Sequence, residues 1–302
     1  GVGLIFGANT FGAILGSLLT GFLLLPKLGT QQSLIFVATL NLLMMMYLFR
    51  TSDYLTTTLR KTMTAVLAGL ILIVNIGMPS DLLDRFFMRD SAGRKDIRKL
   101  LYFKEGLTDT VAVFEDNYGI LDPDAKRLVT NGLSMSAVNF LASRYMKLLA
   151  HIPILLKDNP EDVLVVCFGT GQTTGAAAIH PKVKSVDSVD LSESVVKAGN
   201  IFSPQNYNAL KNEKVNIILQ DGRNYLLTTQ KMYDVITSEP PPPRTAYTVN
   251  LYTKEYYEIA QKHLKPGGIM AQWIPLHSQG KDEVLMHFKT FLSVFSYGMA
   301  WM

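Results

Sequence analysis

The residues best suited to chemistry lie in the second half of the chain, each just after a short run of β-branched and apolar residues. Gly169-Thr170-Gly171-Gln172-Thr173-Thr174-Gly175 follows the run VLVVCF at 163–168 and leads into Ala176, Ala177 and Ala178. Glycines there permit a tight turn and let a ligand approach the backbone, while a helix starting at that point turns free N–H groups toward it. Asp190 ends the second run, 19 residues after Gly171, the spacing at which a carboxylate accepts hydrogen bonds from ribose hydroxyls. Asp221, followed by Gly222, ends the third run, where an acceptor reads an adenine amino group. Each feature alone is an ordinary turn residue. Together they point to an adenosyl cofactor.

Glu239 ends the fourth run in Ser238-Glu239-Pro240-Pro241-Pro242-Pro243-Arg244. The prolines fix φ and remove N–H donors, so the loop is stiff. Glu239 suits binding of a substrate amine or general-base work, the plain alternative being a solvated loop carboxylate. Cys167 lies inside the first run and reads as a small buried hydrophobe. His151 and His277 have no partner nearby in sequence and read as structural, although His277 follows the fifth run and can border the same cleft.

These residues need a scaffold that brings run ends together. The runs at 163–168, 186–191, 215–220, 233–237 and 268–274 are separated by helix-compatible segments, which implies a parallel sheet covered on both faces. Ligands of such doubly wound folds sit beyond the carboxyl ends of the strands, where the chain order switches. Upstream, residues 101–115 (LYFKEGLTDTVAVFE) alternate like a short β-hairpin around Gly106, and residues 134–150 return to helical spacing.

The first part of the chain has a different solvent. Residues 3–25 carry no charge and are long enough to cross a hydrocarbon core. Ala8, Gly12, Gly16 and Thr20 recur every fourth residue, a ridge that lets membrane helices approach, so partner helices are expected. Residues 33–49 and 63–78 are shorter apolar runs; three crossings are expected, with two as the alternative. Three crossings place Lys27 on the side of Arg85, Arg89, Arg94, Lys95, Arg98 and Lys99, which puts the C-terminal domain in the cytoplasm. The stretch at 81–99 can lie along an anionic membrane surface or serve as a plain linker. The divisions expected are membrane helices at 1–80, a basic juxtamembrane linker at 81–100, a small β-rich segment plus helix at 101–160, and the Rossmann-type domain at 161–302.

The 302 residues are 48% hydrophobic and 18% charged, too apolar for an ordinary soluble protein. The net charge of +4, without a basic run interleaved with aromatics, argues against nucleic acid as a partner. A single cysteine excludes an internal disulfide framework and a multi-cysteine metal site, and no metal is expected. The chain ends in FSYGMAWM, which reads as an interrupted strand and suggests C-terminal truncation.

These features resemble the spermidine synthase family, and more closely its membrane-fused bacterial relatives with transporter-like N-terminal helices. The resemblance runs almost end to end and is carried by GANTFGAILGS at 7–17, GTGQTTGAA at 169–177, DGRNYL at 221–226, SEPPPP at 238–243 and LYTKEYYEIAQKHLKPGGIMAQW at 251–273. It implies a small β-domain plus a methyltransferase-like sheet that binds adenosylmethionine or its decarboxylated form. Asp190 and Asp221 then match the ribose and adenine carboxylates, and Gly169, Thr170, Gly171, Gln172 and Gly222 match the cofactor loops. Glu239 stands where the family's first catalytic Asp is placed and Pro242 where the second is. Tyr145 survives from an upstream motif whose acidic members do not.

A polycation needs several carboxylates to hold it, so these departures weaken a polyamine acceptor. The leading expectation is a membrane-anchored transferase that moves an alkyl group from an adenosyl sulfonium to a small-molecule amine or other nucleophile, with Glu239, Tyr145 and Tyr252 around the reacting centre. The alternatives are methyl transfer to another acceptor, and a non-catalytic nucleotide sensor associated with transport.

Overall fold

The apolar N-terminal region forms α1 (Val2–Leu19), α2 (Leu25–Thr51) and α3 (Thr57–Ile76), with one wider π-turn at residues 20–24 joining the first two. This computed structural model describes residues 1–79, 82, 97–106, 109–116, 122, 124–245 and 248–301. Contacts divide the chain into two compact units: residues 1–97 with 103–110, and residues 98–102 with 111–302. Apart from Leu82 and its last few residues, the basic segment at 81–100 lies outside the described residues; residues 97–100 belong to a strand.

In the first unit, two helical stretches are long and apolar enough to cross a membrane, 2–51 and 57–76. The first has 50 residues, about 75 Å of helix and more than twice a hydrocarbon core. Gly29 divides it, its φ of 77° being a conformation that residues with a Cβ rarely adopt. Beyond Gly29 the helix restarts at Thr30, whose N–H and hydroxyl both donate to the Glu105 carboxylate. Gln31 donates to the Pro79 carbonyl, so the Gly29 bend and the end of α3 share one end of the unit. Asn75 donates to Thr39 Oγ1 at 2.8 Å, joining α3 to α2. On α1 no residue is buried, and Phe6, Phe11 and Phe22 along this stretch are all exposed.

A four-stranded sheet in sequential order comes next, β1 (Ile97–Glu105), β2 (Thr110–Asp116), β3 (Lys126–Thr130) and β4 (Leu133–Val138), of which residues 98–102 and those from 111 onward belong to the second unit. The hairpin expected at 101–115 is its first half. Helical spacing from residue 134 is not followed, because residues 133–138 form β4. Asn131 and Gly132, with φ of 50° and 78°, make the two-residue turn that suits a right-twisted hairpin and returns the chain against β3. The helix starts only at α4 (Phe140–Leu156), where Asn139 Oδ1 accepts the Ala142 N–H at 2.8 Å.

A five-stranded parallel sheet follows, built from β5 (Asp162–Val166), β6 (Ser185–Asp190), β7 (Val215–Leu219), β8 (Tyr233–Ser238) and β9 (Leu264–Gln272) in the order β7-β6-β5-β8-β9. All five expected strands are present within a few residues. Val163, Leu164, Val165 and Val166 of the central strand are buried, as they must be with helices on both faces. These helices are α5 (Gln172–Ala178), α6 (Glu193–Ala198), α7 (Gly222–Thr228), α8 (Lys254–Lys262) and α9 (Lys281–Leu292). The chain moves from β5 outward to β7, then crosses to the opposite side of β5 for β8, so the order switches between β5 and β8. The expected terminal strand is absent: residues 296–301 have no helix or strand, and Tyr297 and Trp301 are exposed. Alternating side chains supply one half of a ladder; pairing needs a neighbour.

The glycine loop shows how tightly these parts meet. A Cβ on Gly175 would lie 1.8 Å from the Asn206 carbonyl oxygen, which is backbone and cannot swing aside. Gly175→Ala is therefore expected to destabilise the second unit by about 3 kcal/mol or more, measured as a lowered circular-dichroism melting temperature of the full chain.

Candidate active site

Strand pairing sets the site. Cys167 N–H donates to the Val189 carbonyl and Glu239 N–H to the Val166 carbonyl, so the ladder extends one residue past each strand before the loops diverge. Asp190 then joins two loops: Oδ2 accepts the Phe168 N–H at 2.8 Å and Oδ1 the Ser192 N–H at 2.9 Å. Asp221 is the N-cap of α7, accepting the Asn224 N–H at 2.8 Å. Main-chain donors thus orient both carboxylates, and a carboxylate oxygen has room for more than one donor.

The glycine loop is constrained from within. Gly169 and Gly171 have φ of 54° and 79°, and a Cβ on Gly171 would meet the Phe168 ring at 2.6 Å. Gly222 is held small by Val166 Cγ1 at 2.5 Å. The requirement for glycine at 171, 175 and 222 therefore comes from the protein's own packing. Thr170 and Gln172 are buried, with their side chains turned toward β4 and α4: Thr170 Oγ1 is 3.3 Å from Ser136 Oγ, and Gln172 Nε2 donates to the Ala137 carbonyl at 3.1 Å. From these two residues only the main chain faces outward work. Asn206, which the sequence did not single out, clamps the loop by donating to the Thr170 and Gly199 carbonyls, both at 2.9 Å.

Glu239 receives hydroxyl groups from two helices. Thr173 Oγ1 donates to its Oε2 at 3.1 Å, and the Tyr145 hydroxyl donates to the same carboxylate. Burial pushes the Glu239 carboxyl up to about 7, against the opposing pull of these two hydroxyls. The tyrosine hydroxyl is itself raised, by burial first and by Glu239 second. Tyr145 stacks on Trp273 with centroids 6.0 Å apart and planes 17° apart, and the Trp273 N–H donates to the Ser238 carbonyl at the end of β8. Thr173 and Trp273 were missed as site residues; only their places after β5 and β9 hinted at them.

Tyr252 is placed differently from Tyr145. Its hydroxyl donates to the Pro240 carbonyl at 2.9 Å and the Pro241 carbonyl at 3.3 Å, fixing the proline loop. Cys167 is not in the strand: it follows β5 with a φ of 74°, partly buried, a strained position for a residue with a Cβ. Burial raises its thiol, helped by the charges of Asp190, Glu239 and Asp221. His151 does have a partner, His180, with Nδ1 and Nε2 2.8 Å apart. His277 lies 6.0 Å from the Trp273 ring. Among the described residues no cluster of three or more His, Cys, Asp or Glu could hold a metal.

A parallel sheet in the order β7-β6-β5-β8-β9, with a glycine loop and carboxylates at its switch point, defines a methyltransferase-like fold. Comparison narrows the class: the spermine/spermidine synthase domain matches residues 142–296, and the chain belongs to that family. It is 39% identical over 128 residues to a polyamine aminopropyltransferase of Methanocaldococcus jannaschii, covering 42% of this chain and 43% of the relative. A polyamine aminopropyltransferase of Oceanobacillus iheyensis is 28% identical over 270 residues, 86% of this chain and 49% of that protein. The chain thus spans about half the length or less of these curated relatives. Crystal structures of a spermidine synthase with the transition-state analogue AdoDATO and of spermidine synthase from Thermotoga maritima share the fold, with TM-scores of 0.59 and 0.57. The first is 21% identical, covering 67% of each chain; the second is 20% identical, covering 67% of this chain and 66% of that one.

Glu239 makes the fold sensitive to pH in a definite direction. Its folded pKa of about 7 lies above the ordinary 4.5, so the folded state holds the extra proton and stability falls as pH rises through that window. Glu239→Gln, which keeps the shape without the charge, should be stabilising by on the order of 2–3 kcal/mol at pH 8 and close to neutral at pH 4. Thermal melts of variant and wild type across that range check it.

Proposed function

We propose that the chain is a membrane-anchored transferase that moves an alkyl group, aminopropyl in the first instance, from an adenosyl sulfonium donor to a small-molecule nucleophile. The observation that carries this reading is the Glu239 carboxyl, with a pKa of about 7, held by Thr173 and Tyr145 beside the glycine loop. A base of that pKa is half ionised at neutral pH and suited to taking a proton from an amine. Family membership supports transfer from such a donor, and decarboxylated adenosylmethionine fits the aminopropyl reading.

In this reading Asp190 and Asp221 take the ribose hydroxyls and the adenine amino group, while the main chain of Gly169–Gln172 faces the rest of the donor. The nucleophile's lone pair attacks the carbon next to the sulfonium. The C–S bond breaks, its electron pair returns to sulfur, and a neutral thioether leaves. The proton lost by the nucleophile goes to Glu239, Tyr145 and Trp273 wall the acceptor's approach, and Tyr252 keeps the proline loop in place. The same apparatus with intact adenosylmethionine would transfer methyl; the leaving thioether distinguishes the two, methylthioadenosine for aminopropyl and adenosylhomocysteine for methyl.

Anchoring is supported by the two apolar stretches and their exposed side chains. The Gly29 bend, with Lys27 two residues before it, and Pro79 share one end of the helices, which fits a cytoplasmic placement of the second unit. Protein that carbonate at high pH strips from membranes would refute anchoring.

For the chemistry, Glu239→Gln should lower kcat by about 10²-fold or more while leaving calorimetric affinity for the donor within a few-fold. Asp190→Ala should do the reverse, weakening donor binding by tenfold or more, about 1.4 kcal/mol. The rate should rise with pH through about 7 as Glu239 ionises. Tyr145→Phe removes a hydroxyl that stabilises the anion, so that limb should move to higher pH. A profile unchanged by both substitutions would refute the role of Glu239.

A further inference from the structure

The strand ladder sets Trp273 beside Glu239: Gln272 pairs with Ser238, and the Trp273 N–H donates to the Ser238 carbonyl at 2.9 Å. The Tyr145 hydroxyl donates to the Glu239 carboxylate, the Tyr145 ring stacks on Trp273, and the Trp273 ring in turn has the His277 ring at 6.0 Å. Three rings are thus linked in succession to one carboxylate. Tyr145 and Trp273 are partly buried and His277 is exposed, so the series opens to solvent at His277. Ring faces hold flat or aliphatic groups by burying apolar area and by stacking.

Charge sets a second condition. Among the described residues no second charged group acts on the Glu239 carboxyl, which is governed by burial and by the Thr173 and Tyr145 hydroxyls. Asp190 and Asp221 are tied to main-chain N–H groups and, in the transferase reading, to the donor. A primary amine arrives as an ammonium, and one carboxylate matches one such charge. Once that proton has passed to Glu239, the acceptor is neutral and its nitrogen lone pair is free to attack. A diamine brings a second ammonium, which loses water without meeting a counter-charge, and ring faces offset that loss only in part. Resting on the transferase reading, we infer that the acceptor is a primary amine with a single positive charge and a flat apolar tail, its nitrogen at Glu239 and its tail along Tyr145, Trp273 and His277.

The test uses the full chain in detergent micelles with decarboxylated adenosylmethionine and reads methylthioadenosine release. Butylamine has the carbon chain of putrescine without the second nitrogen, and phenethylamine adds a ring. The ratio kcat/KM should be about tenfold or more higher for butylamine than for putrescine, and higher again for phenethylamine. Trp273→Ala should raise KM about tenfold for phenethylamine and less for butylamine, with smaller changes in kcat. Putrescine used as well as butylamine overturns the inference, and so does an equal loss for both monoamines in Trp273→Ala. Should that variant fail to fold, the two wild-type ratios decide, and phenethylamine used no better than butylamine overturns the ring placement. If no amine releases methylthioadenosine, the transferase reading falls by itself, and equilibrium dialysis of the same amines against the donor-loaded chain judges the inference separately. It stands if phenethylamine binds about tenfold or more tightly than putrescine, and falls if it does not.

Discussion

Everything at the candidate site depends on β5 being hydrogen-bonded on both sides at once. Its buried valines and Leu164 hold β6 along one edge and β8 along the other. The chain reaches β6 directly and β8 only after crossing back, so the order switches between β5 and β8. That order brings the start of α5 beside the end of β8, where Thr173 meets Glu239. Without it the glycine loop and Glu239 would be separate surface turns.

The strand ends carry a cost at one position. Glu239 gives up water, and two hydroxyls only partly offset the loss, which is why its carboxyl titrates near neutrality. Those hydroxyls come from different elements, Thr173 at the start of α5 and Tyr145 on α4, so the environment of one carboxylate reports the packing of two helices on the sheet. Asp190 works the other way: its charge is satisfied by main-chain N–H groups, which fix the two loops. Asp190 and Asp221 are thus tied to the backbone, while Glu239 is held by side-chain hydroxyls.

The N-terminal unit is built by a different rule. In the sheet, apolar side chains face inward; on α1 they face outward along the whole helix. Polar groups there are held mostly by local bonds, such as Thr10 to the Phe6 carbonyl and Ser17 to the Ile14 carbonyl. Such bonds within the helix satisfy these hydroxyls without an outside partner. Gly29 and the Glu105 carboxylate at the restart of the helix are the points where this rule gives way.

Local pattern sufficed for much of this. The five β-rich runs, the residues that close them and the apolar helices could all be read along the chain, because burial on both faces and a missing charge leave continuous traces in sequence. So could the candidate chemistry of Asp190, Asp221 and Glu239, since strand ends are where doubly wound folds expose side chains. Tertiary structure decided the rest. Whether Gly175 serves a ligand or the Asn206 backbone, whether Thr170 and Gln172 face out or in, and that Tyr252 grips the proline loop while Tyr145 reaches Glu239 all depend on contacts between residues far apart in the chain. The start of α4 was misplaced because residues 134–138 fit a helical period, and only pairing with β3 across the Asn131-Gly132 turn made them a strand. The neutral-range pKa of Glu239 has no sequence trace at all, since burial belongs to the assembled fold and not to any segment of it.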